Sequence, residues 1–497
     1  MRLNLSPSSI ADYRHFLAVK ALPKYRFAGR TAEFPDEYAR LVGISAPPDP
    51  EATEYRPLPA LFDYQQAIAS IACRKRRFAA FVDPGLGKTL IETEFARHAA
   101  GNLPAGRCVL IVTPLMVIPQ YVEEIERFYG AGMSVEVLPA KDLNGWLAGG
   151  AGRIGVTNWE ALRDGLEPGR LGALILDESS MLKSFYGKWG QVAIRLGRGL
   201  SWKLAGTGTP APNDRIEYAN HAVLLDHFPT VNSFLARFFV NRGQTQNRWE
   251  LKPHALRPFY RALSHWCIFM TNPATYGWRD NAGTLPPVYV HIEPVDLTEQ
   301  QREAVRAETG DMFGMNAGGI TRRSTLGQIA KGNYRGQKVE TNKPAYIAAR
   351  IAEWPGESTI VWCKYNAEQD AIEAALPGAA AMRGDTPHAR RQQIIADFKA
   401  GRVQTLVTKP DILGFGLNLQ ICTRMVFSGL QDSYEEFYQA VKRANRVGST
   451  RPLNVHIPVT AVERPMVENV LRKARRVQQD AEEQERLFRE VGHAAIA

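Results

Sequence analysis

Ten short apolar runs, five in each of two blocks, constrain this chain more than any other feature. The first block holds residues 77–82, 108–113, 153–157, 173–176 and 202–205. The second holds 359–363, 379–382, 403–408, 424–428 and 453–459. Amphipathic stretches at 117–129, 367–376 and 388–399 fill the gaps. Buried strands that alternate with helices predict parallel sheets covered on both faces. A chain of 497 residues is too long for one core, so the two blocks predict two α/β lobes. In such sheets ligands bind where strands end at their carboxyl side.

Between about 214 and 343 the pattern changes. Aromatic clusters at 228–239 and 254–269 predict helices. A break follows at Leu285-Pro286-Pro287, then a glycine-rich stretch at 312–319 flanked by Arg322, Arg323, Lys331 and Arg335. This region is expected to supply helical insertions and the hinge between lobes. The organisation expected is an N-terminal accessory segment at 1–54, a first lobe with its insertion at 55–284, a second lobe at 285–464 and a charged helix at 465–497.

Hydrophobic residues make up 45% and charged residues 23% of the chain, which excludes a disordered class. The net charge of +10 favours a polyanionic partner. The five cysteines have no metal-ligand spacing and no disulfide framework, which fits a reducing compartment. A signal-peptide core and an apolar run long enough to span a bilayer are both lacking, so the expectation is a cytoplasmic protein with no membrane partner.

Residues 82–89 read Val-Asp-Pro-Gly-Leu-Gly-Lys-Thr. An apolar run stops at Asp83-Pro84, a glycine turn follows, and Lys88-Thr89 open a helical pattern. Such a loop cradles phosphate oxygens with backbone N–H groups; its lysine reaches the terminal phosphates and its hydroxyl holds Mg²⁺. The general pattern places a glycine where this chain has Val82. Asp177-Glu178 end another apolar run and suit a metal-binding carboxylate beside a water-orienting base. Far downstream, Arg443 and Arg446 stand three apart, as arginine fingers can. His221, His227, His254 and His265 have no ligand spacing, so no metal beyond Mg²⁺ is expected.

The order of motifs resembles superfamily 2 helicases, and in particular the Swi/Snf-type DNA translocases. Tyr64-Gln65 look like the glutamine motif that reads adenine. Residues 83–89 are similar to D-E-M-G-L-G-K-T, a family form that also lacks the first glycine. Thr113-Pro114 with Gln120 look like motif Ia. Asp177-Glu178-Ser179-Ser180 stand where the family has D-E-A-H, and Gly208-Thr209-Pro210 with Asn213 match T-G-T-P-x-x-N. Leu285-Pro286-Pro287 match the interlobe L-P-P, and residues 414–419 match G-L-G-I-N-L. Residues 439–448 match Q-A-x-x-R-A-x-R-I-G. The resemblance runs collinearly from about 61 to 460. It departs from the family at Ser180 and Asn445, where histidines are usual, and at residues 270–272 and 431–433.

The resemblance implies two RecA-like lobes with helical insertions, ATP and Mg²⁺ as substrate and cofactor, and DNA as partner, with duplex DNA favoured over RNA. Catalysis falls to Lys88, Asp177, Glu178, Arg443 and Arg446. ATP binding falls to Tyr64, Gln65, Gly85, Leu86, Gly87, Lys88, Thr89 and Gly416, and the metal to Thr89 and Asp177. The strand-tracking positions are Thr113, Asn158, Thr209, Arg383 and Thr408. The activity implied is DNA-dependent ATP hydrolysis coupled to translocation or remodelling. Two alternatives are a strand-separating or annealing helicase and an ATP-switched clamp that does not travel. Replication or recombination proteins are the expected protein partners, and the form is closest to helicases of bacteria or their phages.

Overall fold

The computed structural model describes residues 1–496 apart from 23–24, 46–53, 150–152, 184–186, 213, 244–248, 280–284, 311–319, 414–418, 431–433 and 447–448. The chain forms two units, residues 1–281 together with 477–497, and residues 282–476.

The first unit is built on a seven-stranded sheet. Its order is Cys267–Met270, Arg77–Val82, Trp202–Gly206, Leu171–Asp177, Cys108–Thr113, Ile154–Asn158 and Glu136–Val137. Every neighbouring pair is parallel. The strands Cys108–Thr113 and Leu171–Asp177 are buried throughout, as continuous apolar runs between two helical layers should be. Four adjacent strands end at Val82, Gly206, Asp177 and Thr113, so whatever follows those residues is gathered at one edge of the sheet.

Two expected helices differ in extent. The cluster at 228–239 is the helix Val231–Phe238, capped by Thr230 Oγ1 on Ser233 N, and its last aromatic joins the short strand Phe239–Asn241. The cluster at 254–269 splits into the helix Leu256–Ser264 and the strand Cys267–Met270. Cys-Ile-Phe-Met is a four-residue apolar run without period, so pattern alone cannot separate strand from buried helix. Phe234, Phe238 and Phe259 meet edge to face and hold this insertion together. The N-terminal residues form the helix Ile10–Ala21 on a small antiparallel sheet. The stretch from Val477 onward returns to this unit: Asp480 takes Tyr260 Oη and Arg215, and Glu485 takes the backbone and hydroxyl of Thr271.

The second unit carries a six-stranded parallel sheet in the order Val288–Pro294, Leu453–Val459, Arg424–Phe427, Thr359–Trp362, Thr405–Thr408 and Ala380–Ala381. The edge strand Val288–Pro294 was not expected from the sequence. It alternates Val, Tyr, Val, His, Ile and Glu, and Tyr289, Val290 and Ile292 remain exposed. The helices Lys343–Ala352, Asn366–Ala375 and His388–Lys399 flank this sheet's strands in sequence. The glycine-rich residues 312–319 lie outside the described residues. The charged C-terminal stretch is the helix Arg464–Ile496. Among the described residues, no helix is long and apolar enough to cross a membrane.

Candidate nucleotide site

The glycine loop read as phosphate-binding sits between the strand Arg77–Val82 and the helix Lys88–Asn102. Gly85 and Gly87 have φ of +96° and +70°, the left-handed region that favours glycine. The turn is closed by Leu86 N donating to Asp83 O at 3.3 Å. Gly87 caps the helix without a side chain, so the first amides of Lys88–Asn102 point toward the loop with the positive end of the helix dipole. The loop is pinned from one side: Tyr64 Oη donates to Leu86 O at 3.1 Å, and Gln65 Nε2 lies 3.3 Å from Leu86 O and 3.4 Å from Gly87 O.

Lys88 Nζ lies 2.8 Å from Asp177 Oδ1 and 3.7 Å from Glu178 Oε2. Burial opposes the ammonium, but the charges of Asp177 and Glu178 outweigh it and hold its pKa above that of an ordinary lysine. Asp177 is held from three sides. Thr113 Oγ1 donates to Oδ2 at 2.7 Å, Glu178 N donates to Oδ1 at 2.9 Å, and Trp159 Nε1 donates to its carbonyl at 2.9 Å. Glu178 has φ +51°, a strained value for a non-glycine residue at the end of a strand. Its Oε1 accepts both Ser180 Oγ at 2.9 Å and Thr207 Oγ1 at 2.7 Å. Two hydroxyls on one oxygen fix the carboxylate plane and leave the Oε2 side turned toward Lys88.

Four neighbours of this cluster were not singled out in the sequence as part of the site. Thr207 and Ser180 hold Glu178, although Ser180 was noted as a departure from the family's histidine. Glu92, four residues after Lys88 on the same helix, is buried, and Tyr121 Oη donates to its Oε2 at 3.1 Å. Burial, then the nearby Asp177, raises its pKa well above that of an ordinary glutamate. A Cβ at Gly206 would come within 1.9 Å of Glu92 Oε1, so the strand must have glycine there. The helical spacing from Lys88 to Glu92 was the available signal, since i and i+4 share a face. The fourth, His221, meets Ser179 Oγ through Nε2 at 3.0 Å, and burial brings its pKa down to about 4, so it is neutral.

The residues present fit a magnesium nucleotide. Asp177 and the Thr89 hydroxyl offer oxygen ligands beside the glycine loop, and Mg²⁺ typically takes one or two carboxylates plus phosphate oxygens and water. Among the described residues there is no cluster of three or more His, Cys, Asp and Glu that would suit a protein-only metal cage.

In the second unit Arg443 is on the helix Tyr434–Ala444, and Arg446 follows its end. Arg443 is buried, its carbonyl accepts Leu419 N at 2.9 Å, and it lines a small cavity with Trp362, Gln439, Asp411 and Glu436. Trp362 Nε1 and Gln439 Nε2 are buried donors without a hydrogen-bond partner among the described residues. Two such donors beside a guanidinium suit an anionic acceptor. Gly416 lies outside the described residues, as do Asn213 and the Val447-Gly448 end of the last motif.

A profile of the helicase conserved C-terminal domain matches residues 342–448, the segment that contains both arginines. The match covers about a fifth of the chain and agrees with the resemblance to superfamily 2 helicases. The chain is 31% identical over 127 residues to the ATP-dependent helicase fft1 of Schizosaccharomyces pombe, covering 24% of this chain and 13% of that protein. It is 28% identical over 122 residues to the DEAD-box ATP-dependent RNA helicase 46 of Arabidopsis thaliana, covering 23% and 19%. The matched stretch thus spans less than a fifth of either relative. A solved SWI2/SNF2 ATPase core of Sulfolobus solfataricus in complex with dsDNA is 19% identical, covers 83% of this chain and 90% of that one, and has a TM-score of 0.39.

The five expected strand-tracking residues fall into two groups. Thr113, Thr209 and Thr408 are buried. The Thr113 hydroxyl goes to Asp177, and that of Thr408 goes to Met382 O at 3.1 Å. Thr209 contributes its backbone N–H to Thr207 Oγ1 at 3.1 Å. Thr113 and Thr408, read as nucleic-acid contacts, thus have internal partners for their hydroxyls. Asn158 and Arg383 are accessible. Asn158 bonds Glu160 at 2.6 Å, while Arg383 pairs with Asp370 at 2.6 Å and Glu373 at 2.7 Å. The basic run 74–77 is also engaged within the lobe: Lys75 donates to His265 O, Arg76 lies over Trp202, and Arg77 faces Asp226.

Proposed function

We propose that this protein is a DNA-stimulated ATPase that couples each hydrolytic cycle to movement along duplex DNA. The observation that carries the reading is the Lys88–Asp177–Glu178 cluster, set 2.8 Å and 3.7 Å apart at the mouth of a glycine loop. Phosphoryl transfer demands positioning and charge neutralisation more than covalent chemistry. Lys88 exchanges its carboxylate partners for the terminal phosphates of ATP. Thr89 and Asp177 hold Mg²⁺, which when bound neutralises charge on the phosphate oxygens. Glu178, oriented by Ser180 and Thr207, directs the attacking water through its Oε2 side. Arg443 and Arg446 supply the cations that neutralise the transferring phosphoryl group. The two unsatisfied donors beside Arg443 support its part in an anion site.

DNA as partner is supported by the net charge of +10 and by the family's motifs. The contacts expected are to sugar and phosphate, which position a strand without reading its sequence. The deciding experiment measures ATP hydrolysis with single-stranded DNA, duplex DNA, RNA and no nucleic acid, then triplex displacement with the best activator. Duplex DNA should activate most, with activation rising with length and falling steeply with salt as counterion release requires. Activation that saturates on a very short duplex would instead indicate a clamp. Unwinding of a forked duplex without triplex displacement would indicate strand separation, and equal activation by RNA would overturn the DNA assignment.

A further inference from the structure

The two large sheets have four edges, and three of them are short or buried. Glu136–Val137 and Ala380–Ala381 are strands of 2 residues each, and Cys267–Met270 is buried along its whole length. Val288–Pro294 is different. It has 7 residues, and Tyr289, Val290 and Ile292 are 50%, 40% and 49% exposed. Folded proteins guard an open edge with short strands, lysines or bulges, because its unpaired N–H and C=O groups template further pairing. This strand has no lysine or arginine. Its one carboxylate is occupied within the lobe: Glu293 meets His456 Nδ1 at 2.9 Å, Arg350 Nη2 at 2.8 Å and Tyr346 Oη at 3.1 Å.

The direction of the free backbone groups follows from the register. The strand runs parallel to Leu453–Val459, with Val290 beside Val455. At its two ends Pro287 O accepts Leu453 N at 3.1 Å, and Val295 N donates to Val459 O at 2.9 Å. Residues of odd number therefore bond the neighbouring strand, while Val288, Val290 and Ile292 turn their N–H and C=O groups to the open side. Proline closes this row at both ends. Pro294 has no N–H; Pro286 has none either, and its carbonyl accepts Asn445 Nδ2 at 2.7 Å. Val290 is the centre of the row.

Such an edge is complementary to itself. Under a two-fold axis through Val290, an antiparallel copy sets Val290 against its own counterpart and Val288 against Ile292. Each is a hydrogen-bonded pair, because all three residues carry outward groups. Tyr289 then faces His291 as the closer, non-bonded pair, and Pro286 faces Pro294, where neither donates. A shift of one residue would set outward groups against inward ones. Glu293 faces Pro287, so no like charges meet. On one face Val288, Val290 and Ile292 continue the buried row Leu453, Val455 and Ile457, and a second copy extends that apolar strip.

We propose that this edge is a self-association surface, on which two copies of the chain pair antiparallel along residues 288–292 and one sheet runs through both. The occupant is a second copy rather than a foreign peptide because the outward groups, the bracketing prolines and the Tyr289–His291 pair all match under the same two-fold. The proposal does not depend on the nucleotide site.

The test is sedimentation of the full chain, freed of nucleic acid, across about 1–100 μM, the weak range expected of a single strand pair. The wild type should pass from monomer to dimer, and equally so in high salt, since the contact holds no ion pair. Val290→Lys sets two like charges opposite each other at the centre and should stay monomeric at an unchanged melting temperature. A wild type that remains monomeric, or a Val290→Lys variant that still dimerises, would overturn the proposal. Cysteines test the register separately, and decide alone if Val290→Lys does not fold. Tyr289→Cys and His291→Cys, mixed in equal amounts under mild oxidation, should form an interchain disulfide, because non-bonded antiparallel partners stand about 4.5 Å apart at Cα. Neither variant should cross-link by itself, since like positions are then about 7–8 Å apart on the diagonal. The native cysteines are all buried, so the wild type supplies the background. Cross-linking of either variant alone as fast as in the mixture, or none in the mixture, would sink the symmetric pairing.

Discussion

In the first lobe, the strands ending at Val82, Gly206, Asp177 and Thr113 bring three carboxylates, from Glu92, Asp177 and Glu178, around the single ammonium of Lys88. In the second lobe the signs are reversed: Glu463, just past the strand Leu453–Val459, is one carboxylate between two ammoniums. Lys331 Nζ lies 3.0 Å and Lys343 Nζ 2.6 Å from the two oxygens of Glu463, Lys343 also donates to Ser428 O, and Thr460 Oγ1 adds a bond at 2.9 Å. The two clusters occupy corresponding places in parallel sheets. Lys88 and Glu178 keep about a seventh of their side-chain surface exposed, at 15% and 14%, while the second cluster is sealed at 1% or less. A charge that must meet a ligand needs an opening. A charge that joins two helices to a sheet needs none, provided every polar atom is paired.

The largest expected effect is on the arginines of the second lobe. Arg446→Ala should bind ATP nearly normally and lose roughly 10³-fold of DNA-stimulated turnover, with Arg443→Ala similar, as arginine fingers do. Steady-state rates at saturating DNA check this, and near-wild-type rates in both variants would leave the second lobe with only structural charges. Next comes Lys88→Ala, expected to lower turnover by about 10²–10³-fold at unchanged melting temperature, because it removes a preorganised cation from developing charge. Lys331→Met tests the contrast in the opposite sense. It should lower the melting temperature while the folded fraction keeps its turnover within about twofold, and a selective loss of activity would break the comparison.

Glu463→Gln should destabilise the second lobe by about 3–5 kcal/mol, since two lysines would then be buried without a counter-charge. Urea melts followed by circular dichroism would read it, and an effect below about 1 kcal/mol would mean that the triad is dispensable. The wild-type pH dependence gives the same cluster a second reading. Burial alone would raise the Glu463 pKa, but Lys343 and Lys331 pull it from 4.5 to about 2. A carboxylate depressed by folding stabilises above its unfolded pKa. That contribution should fade as pH drops from about 4.5 through about 2, and be absent from the melts of Glu463→Gln. The smallest effect belongs to Ser180→Ala and Thr207→Ala. Each removes one hydroxyl from Glu178 and should lower kcat by about tenfold with KM for ATP unchanged, with Thr207→Ser restoring the rate. A change confined to KM would mean that these hydroxyls serve nucleotide binding instead.

The ten apolar runs of the sequence all lie on observed strands because a strand buried on both faces has to be continuously apolar, and that demand is local. Two edge strands escaped for opposite reasons. Cys267–Met270 is too short and uniform to carry a period, and Val288–Pro294 is exposed on an edge where burial imposes little pattern. Within the site, Lys88, Asp177 and Glu178 were legible because glycine turns and strand-end carboxylates stand out against their neighbours. Thr207, Glu92 and His221 were not. A threonine, a helix glutamate and a histidine on the helix Tyr218–Leu224 are ordinary until folding sets them against Glu178, Lys88 and Ser179.

Sequence by itself determined the two-lobe parallel architecture, and the glycine loop and the strand-end acid pair could be picked out from it, since each rests on residue type and spacing within a few positions of the chain. Only the tertiary structure decided which hydroxyls support the carboxylates. Thr113 and Thr408 were read as nucleic-acid contacts; they are the last residues of their strands, and their oxygens are bound to Asp177 and Met382. The same is true of Gln65, whose amide looks free to read a base until the loop's carbonyls are brought within 3.4 Å. A side chain's type sets what it is able to bond. Which partner it has depends on atoms tens or hundreds of residues away, and those distances exist only once the chain has packed.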